Sequence, residues 1–360
     1  MATEKIEDLS TRILIRRKRF VLTLTIIFLV LMAVSLVLIM IVIAVFAMPT
    51  PTETVEAQDT FSVAVVMPSA TNDLAFSQSI VDGLQAIQDE MGADNFEFVT
   101  KDGTFVVEEA AVDLRQWALE GFDLVIAHGS QYGEILVDLA PEFPDVSFAW
   151  GTDSDTFGYD NVFAYEAASQ EGGFVNGVLA ATMTDSDVIG VVGPIEVGDA
   201  KLYVDGFIAG AEWANSDVTV NVNYIGSFSD VALASEAAEA HIANGADVLT
   251  GTAQMVVGAV GVASDRGGVL WFGTQANQTS LDSEIVVASQ VYHWEVVLMD
   301  MISLIQEGTL GGQSYQINLE NGGLVVEVNE DFGLTGYQQF LVGAVTQGIV
   351  DGTIEIDLGE

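Results

Sequence analysis

The chain has 360 residues, half of them hydrophobic, with 52 acidic side chains against ten Lys and Arg and a formal net charge of −42. A surface so acidic repels nucleic acid and anionic lipid, and leaves most carboxylates without a basic partner. The sequence contains no cysteine, which excludes disulfides, thiol catalysis, cysteine metal sites and lipid attachment through a cysteine.

Lys5, Arg12, Arg16, Arg17, Lys18 and Arg19 crowd residues 1–19, and residues 20–48 then carry no charged side chain at all. At about 1.5 Å rise per residue, that apolar run exceeds the roughly 30 Å hydrocarbon core of a bilayer. The positive-inside rule puts the basic tail in the cytoplasm and everything after Met48 outside. Val45-Phe46-Ala47 fits a small-residue cleavage pattern, so a cleaved signal peptide is the rival reading. Signal h-regions typically span only about 7–15 residues, and the length here favours an uncleaved, single-pass transmembrane helix. Residues 49–60, opening Pro49-Thr50-Pro51-Thr52-Glu53, read as an extended linker. Of the basic residues only Lys101, Arg115, Lys201 and Arg266 follow Met48, whereas of the acids only Glu4, Glu7 and Asp8 precede it. Halophilic surroundings would screen this self-repulsion and acidic surroundings would neutralise part of it; the residues favour neither.

Past the linker, strand-like and helix-like runs alternate. Phe61 to Val66 reads as a strand, followed by a loop from Met67 to Thr71 and a helix from Asn72 or Asp73, either a good N-cap, to Met91. Phe96 to Val99, Leu124 to His128 and Val146 to Trp150 continue as strands, with helices over Val107 to Glu120 and Tyr132 to Ala140. After the polar break Gly151 to Asp160 a second set begins. Val162 to Tyr165 is β-prone, Phe174 to Met183 is an apolar helix, Val188 to Val192 is a buried strand ended by Gly193-Pro194, and Lys201 to Trp213 is a helix. Val218 to Ile225, Val248-Leu249 and Val269 to Phe272 add strands, and Val231 to Asn244 and Val257 to Ser264 add helices. Strict alternation implies mostly parallel sheets covered on both faces. Ligands of such sheets sit beyond the carboxyl ends of the strands, which makes the loop Gly193 to Ala200 a candidate ligand wall.

Signs of catalysis are missing. His128, His241 and His293 are far apart and none has a metal-type partner three or four residues on. Gly198-Asp199-Ala200-Lys201 lacks the Gly-Lys-Ser/Thr ending of a phosphate loop, and no Gly-x-Ser-x-Gly elbow occurs. No enzyme activity, metal or cofactor is expected.

Several runs carry a family likeness: Glu171-Gly172-Gly173-Phe174-Val175-Asn176-Gly177, Ile189-Gly190-Val191-Val192-Gly193, and Tyr203-Val204-Asp205-Gly206-Phe207-Ile208-Ala209-Gly210-Ala211. Phe122 to Ala127, Phe143 to Ala149, Asn223 to Phe228 and Gly245 to Val248 extend it in the same order. Together they resemble the basic membrane protein family, the PnrA-like solute-binding proteins of ABC importers that include purine nucleoside receptors. The resemblance implies an α/β, type I periplasmic-binding fold over residues 61–360: two doubly wound parallel lobes with a ligand cleft between them, preceded here by the transmembrane helix. Three crossings between lobes are implied, placed near Tyr165, Thr274 and Asn321. Lobe I then comprises about 61–165 plus 275–320, and lobe II about 166–274 plus 321–360.

The resemblance also implies site residues. The family's Asp-Asp-x-x-Phe-Asn-Gln loop, whose aromatic stacks on the base, matches Asn72, Asp73, Phe76, Ser77 and Gln78. Asp73, Phe76 and Gln78 keep the pattern; Asn72 and Ser77 depart from it, and Pro68 replaces the family's Asp at the end of the first strand. The alternative for Phe76 is a core position, since Phe76, Ile80, Leu84 and Ile87 share one helical face. Tyr203 matches the family's second aromatic and Trp294 a position where some members have Trp; ordinary packing is the other reading of both. The family's Gly-x-Asp-x-Asp-Gln becomes Gly273-Thr274-Gln275-Ala276-Asn277-Gln278, so Gln275 and Asn277 stand where carboxylates would meet the sugar, and Tyr292 stands for a Lys. The expected function is an anchored extracellular receptor that delivers a purine nucleoside or nucleobase to an ABC permease. A surface sensor using the same fold is the alternative, and no nucleic-acid partner is expected.

Overall fold

The structure is a computed structural model that describes residues 2–46 and 60–359. The chain divides into two compact units between Gln58 and Asp59. In the first, a single helix, α1 (Ala2–Phe46), includes the stretch Arg16–Met40, whose 25 residues and mean hydropathy of 3.0 make it long and apolar enough to cross a membrane. The expected linker lies outside the described residues except for Thr60.

The second unit holds two sheets of six strands each. Sheet one is built from β1 (Phe61–Val66), β2 (Phe96–Lys101), β3 (Leu124–His128), β4 (Ser147–Gly151), β5 (Val162–Ala167) and β11 (Ser314–Ile317), in the order β11-β5-β4-β3-β1-β2. All its pairings are parallel. Sheet two takes β6 (Val188–Gly193), β7 (Thr219–Tyr224), β8 (Val248–Gly251), β9 (Leu270–Gln275), β10 (Val286–Tyr292) and β12 (Leu324–Val328), in the order β12-β10-β9-β8-β6-β7. Only β12 runs antiparallel, against β10. Helices cover both faces, as parallel sheets demand. One core of the first lobe, centred on Val63, Ile80, Leu84 and Ile126, takes in Leu298 and Met301 of α9 (Glu295–Gln306) and Trp294 just before it.

The lobe boundaries differ from the expected ones at one crossing. β10 pairs with β9 in sheet two, while α9 packs in the first lobe, so the chain changes lobe between Tyr292 and Glu295 rather than near Thr274. The other changes fall between β5 and α5 (Ser169–Ala181) and between β11 and β12.

The glycines of the family-like runs have a steric purpose. α5 lies against α6 (Gly198–Ala214) with the two backbones nearly touching: a Cβ at Gly177 would meet the Phe207 carbonyl oxygen at 2.1 Å, and one at Gly210 would meet that of Phe174 at 2.1 Å. Gly173 and Gly206 are blocked in the same way. This contact anchors α6, and so fixes where its first turn points.

Among the described residues of the second unit, Arg115 pairs with Glu142, Lys201 with Asp205 and His293 with Glu295, so few of its carboxylates have a basic partner. The melting temperature is expected to rise from low to molar chloride as the self-repulsion is screened. A flat or falling melting temperature over that range would contradict this.

Candidate ligand cleft

The two sheets present the carboxyl ends of their parallel strands to a common cleft, enclosing about 470 Å3 of space with solvent at the mouth included. From lobe I come Pro68 after β1, Phe105 after β2, Gly129 to Gln131 after β3 and Thr152 after β4. Lobe II supplies Val197 to Ala200 after β6, Phe228 after β7, Ala253 and Gln254 after β8, and Gln275 at the end of β9.

Phe76 is positioned by its own loop. The Asp73 carboxylate accepts the backbone N–H groups of Ala75 (2.9 Å), Ser77 (3.1 Å) and Gln78 (3.0 Å) and the hydroxyl of Ser69. A carboxylate there satisfies donors that the first turn of a helix leaves open, and α2 (Phe76–Met91) therefore starts at Phe76, a few residues later than the sequence indicates. Ile80, Leu84 and Ile87 enter the core, whereas Phe76, only 8% exposed, lines the cleft.

Behind Phe76 stands His128, stacked on its ring with centroids 4.0 Å apart and planes 9° apart. Trp294 meets His128 and Tyr165 edge-on. The Phe76 carbonyl, 3.2 Å from Nε2, can only accept, so Nε2 carries the proton and Nδ1 accepts from the Tyr165 hydroxyl at 2.7 Å. Burial drives the imidazole pKa down to about 3, with the Phe76 carbonyl bond opposing weakly. The histidine is thus a neutral, rigid backing for the Phe76 ring.

Across the cleft, Asp199 in the first turn of α6 accepts from the Tyr292 hydroxyl (3.1 Å) and from Thr152 Oγ1 of the opposite lobe (3.3 Å). It keeps partial access to solvent, but protein packs closely around the carboxyl, and lost hydration raises its pKa more than these donors lower it. A second bridge between lobes runs from Gln278 Nε2 to the Leu74 carbonyl at 3.0 Å. Gln275 adopts φ +70° and accepts the Ala253 N–H on Oε1 at 3.2 Å.

Of the residues expected at the site, Phe76 and Gln275 line the cleft and the others do not. Tyr203 is fully buried in the second lobe, its hydroxyl bonded to Thr250 (2.7 Å) and Asn176 (3.2 Å); it is a core residue and cannot sandwich a ligand with Phe76. Trp294 is likewise buried, donating to Ser79 at 2.9 Å. Asn277 is exposed and donates to Glu327 at 2.6 Å, away from the cleft lining. Ser77 bonds Ser69, Gln78 bonds the Leu74 N–H and Asp82, and Asn72 is exposed. Asp73, Ser77 and Gln78 therefore build the loop that presents Phe76. The residues that sequence reasoning missed include Phe105, Phe228, His128, Thr152 and Gln254, whereas Asp199 lies in the loop Gly193 to Ala200 that it marked as a ligand wall. Phe228 had a signal: an aromatic inside the turn Gly226-Ser227-Phe228-Ser229-Asp230, directly after a strand, where packing alone gives no reason for it.

Residues 60–349 match the family described as ABC transporter substrate-binding protein, PnrA-like. The chain belongs to this family. As a PnrA-like protein it falls among substrate-binding proteins and not among enzymes. It is 28% identical over 214 residues to a purine-binding protein of Brucella abortus, a match that covers 59% of this chain and 60% of that protein. A transcriptional activator protein, med, of Bacillus subtilis is 26% identical over 266 residues, covering 74% and 81%. Among solved structures, an ABC transporter solute-binding protein from Aeropyrum pernix superposes with a TM-score of 0.71 at 22% identity, over 82% of this chain and 92% of that one. At that identity the likeness speaks for the fold alone.

Proposed function

We propose that the chain is the membrane-anchored, extracellular receptor of an ABC importer, binding a purine as nucleoside or free base and handing it to the permease. One observation carries the reading: Phe76, backed flat by His128, offers an aromatic face inside a two-lobed cleft to which the opposite lobe adds Phe228. A flat heteroaromatic ligand gains stacking on such a platform. The bridges Thr152 to Asp199 and Gln278 to Leu74 are contacts that lobe closure over the ligand would make. The anchor is supported by Val21 to Met40 of α1, whose apolar side chains are exposed all round and would be covered by lipid. Calorimetry on the full chain in detergent, with adenosine, guanosine, inosine and their bases, is expected to find a purine that binds. Binding of an unrelated solute while no purine binds would sink the ligand class. Protein isolated from membranes is expected to keep its full-length mass; a chain beginning after Ala47 would instead mark a cleaved signal.

A regulatory role on the same fold is the second reading, favoured by the likeness to the Bacillus subtilis activator. Uptake separates the two: if deleting the gene leaves import of labelled purine unchanged, the receptor is a sensor.

A further inference from the structure

Beyond stacking, a cleft needs polar groups that fix the ligand's orientation. Most of those present are already engaged. Asp199 holds Thr152 and Tyr292, and Gln275 Oε1 holds the Ala253 N–H. Gln254 is different. It lines the cleft, is 8% exposed, and its Nε2 is buried with no hydrogen-bond partner among the described residues. Gln170, Asn176 and Gln290 also carry unpartnered amide atoms, but none of them belongs to the cleft lining. A buried donor without an acceptor costs free energy, so its presence in a binding cleft points to a partner that arrives with the ligand.

The backbone around Gln254 supports the same conclusion. Ala253 (φ +73°) and Gln275 (φ +70°) both occupy the left-handed region without being glycine, at the ends of neighbouring strands β8 and β9. Such strain collects where a fold aims side chains at a ligand. Met255 donates its N–H to the Phe228 carbonyl at 3.1 Å, tying the loop of Gln254 to that of the cleft aromatic. Phe228 and Gln254 both line the cleft from this lobe.

We propose that Gln254 reads the ligand by donating its side-chain N–H to an acceptor atom. This rests on the purine reading above, since the ring nitrogens of a purine and the oxygens of its sugar are both acceptors of the required kind. The test uses the full chain in detergent and two variants: Gln254→Met, which keeps the length and removes both polar atoms, and Gln254→Glu, which keeps the shape and removes the donor. Both are expected to weaken purine binding about tenfold or more. Loss with free bases and nucleosides alike assigns the contact to the base; loss with nucleosides only assigns it to the sugar. Without ligand, Gln254→Met is expected to melt no lower than wild type, because no hydrogen bond to Nε2 is lost. Wild-type affinity in Gln254→Met, wild-type affinity in Gln254→Glu, or a lowered melting temperature of ligand-free Gln254→Met would each overturn the inference alone. If no purine binds the wild-type chain, the functional reading fails and this inference falls with it.

Discussion

Phe76→Ala is expected to weaken purine binding by roughly ten- to a hundredfold while the chain still folds. Stacking of a base on an aromatic ring is worth about 1–3 kcal/mol. The residue is not part of the hydrophobic core that Ile80, Leu84 and Ile87 enter, but removing it uncovers His128. Phe76→Leu separates the two effects, since it keeps an apolar cover over the imidazole and loses only the flat face. Both variants should lose affinity, and Phe76→Leu should melt close to wild type. Tyr203→Phe serves as the contrast: it removes hydrogen bonds to Thr250 and Asn176 inside the lobe and should lower stability with affinity unchanged. Calorimetry alongside thermal melts decides the matter. Unchanged affinity in Phe76→Leu, or lost affinity in Tyr203→Phe at full stability, would move the platform elsewhere.

Acid should expose the second large effect. Burial holds the His128 pKa near 3 in the folded chain, against about 6.5 when unfolded. The unfolded state therefore binds the extra proton first. His128 contributes its full share of stability above pH 6.5 and loses it as the pH falls toward 3, at roughly 1.4 kcal/mol per pH unit within that window. Carboxyls that lose hydration without being fully buried act in the opposite direction. Asp199, Asp82, Glu166 and Glu171 have pKa values raised chiefly by lost hydration, so what they contribute is fully present at low pH and fades as the pH rises. Protonation also relieves the general repulsion among carboxylates. The histidine contribution is isolated by difference, with His128→Gln as the non-titrating reference. Urea melts at pH 7, 6, 5 and 4.5 should show the variant gaining on wild type steadily below about pH 6.5. A difference that stays constant with pH would mean that His128 does not carry a buried, neutral imidazole.

Much of the architecture is determined by local pattern. Apolar strand-length runs such as Val188 to Val192 alternate with helical runs such as Lys201 to Trp213, and that order requires parallel sheets with covered faces. The paired glycines at 173, 177, 206 and 210 encode the close α5 and α6 contact, because a side chain at any of them would strike backbone. The loop from Gly193 to Ala200 could be placed on the ligand side because parallel strands present their carboxyl ends there, and Val197 to Ala200 do line the cleft.

The composition of the site was decided by tertiary structure. Helical phase reveals that a face is covered, but not whether by its own sheet or by the far wall of a cleft. Phe76 and Tyr203 look alike in that respect, yet one meets the cleft and the other the core. The second change of lobe shows the same limit. β10 and α9 are adjacent in sequence, and only long-range pairing assigns β10 to sheet two and α9 to the first lobe. Asp199, Thr152 and Tyr292 come together from segments far apart along the chain. No spacing rule joins them, because their proximity exists only once the two sheets face each other.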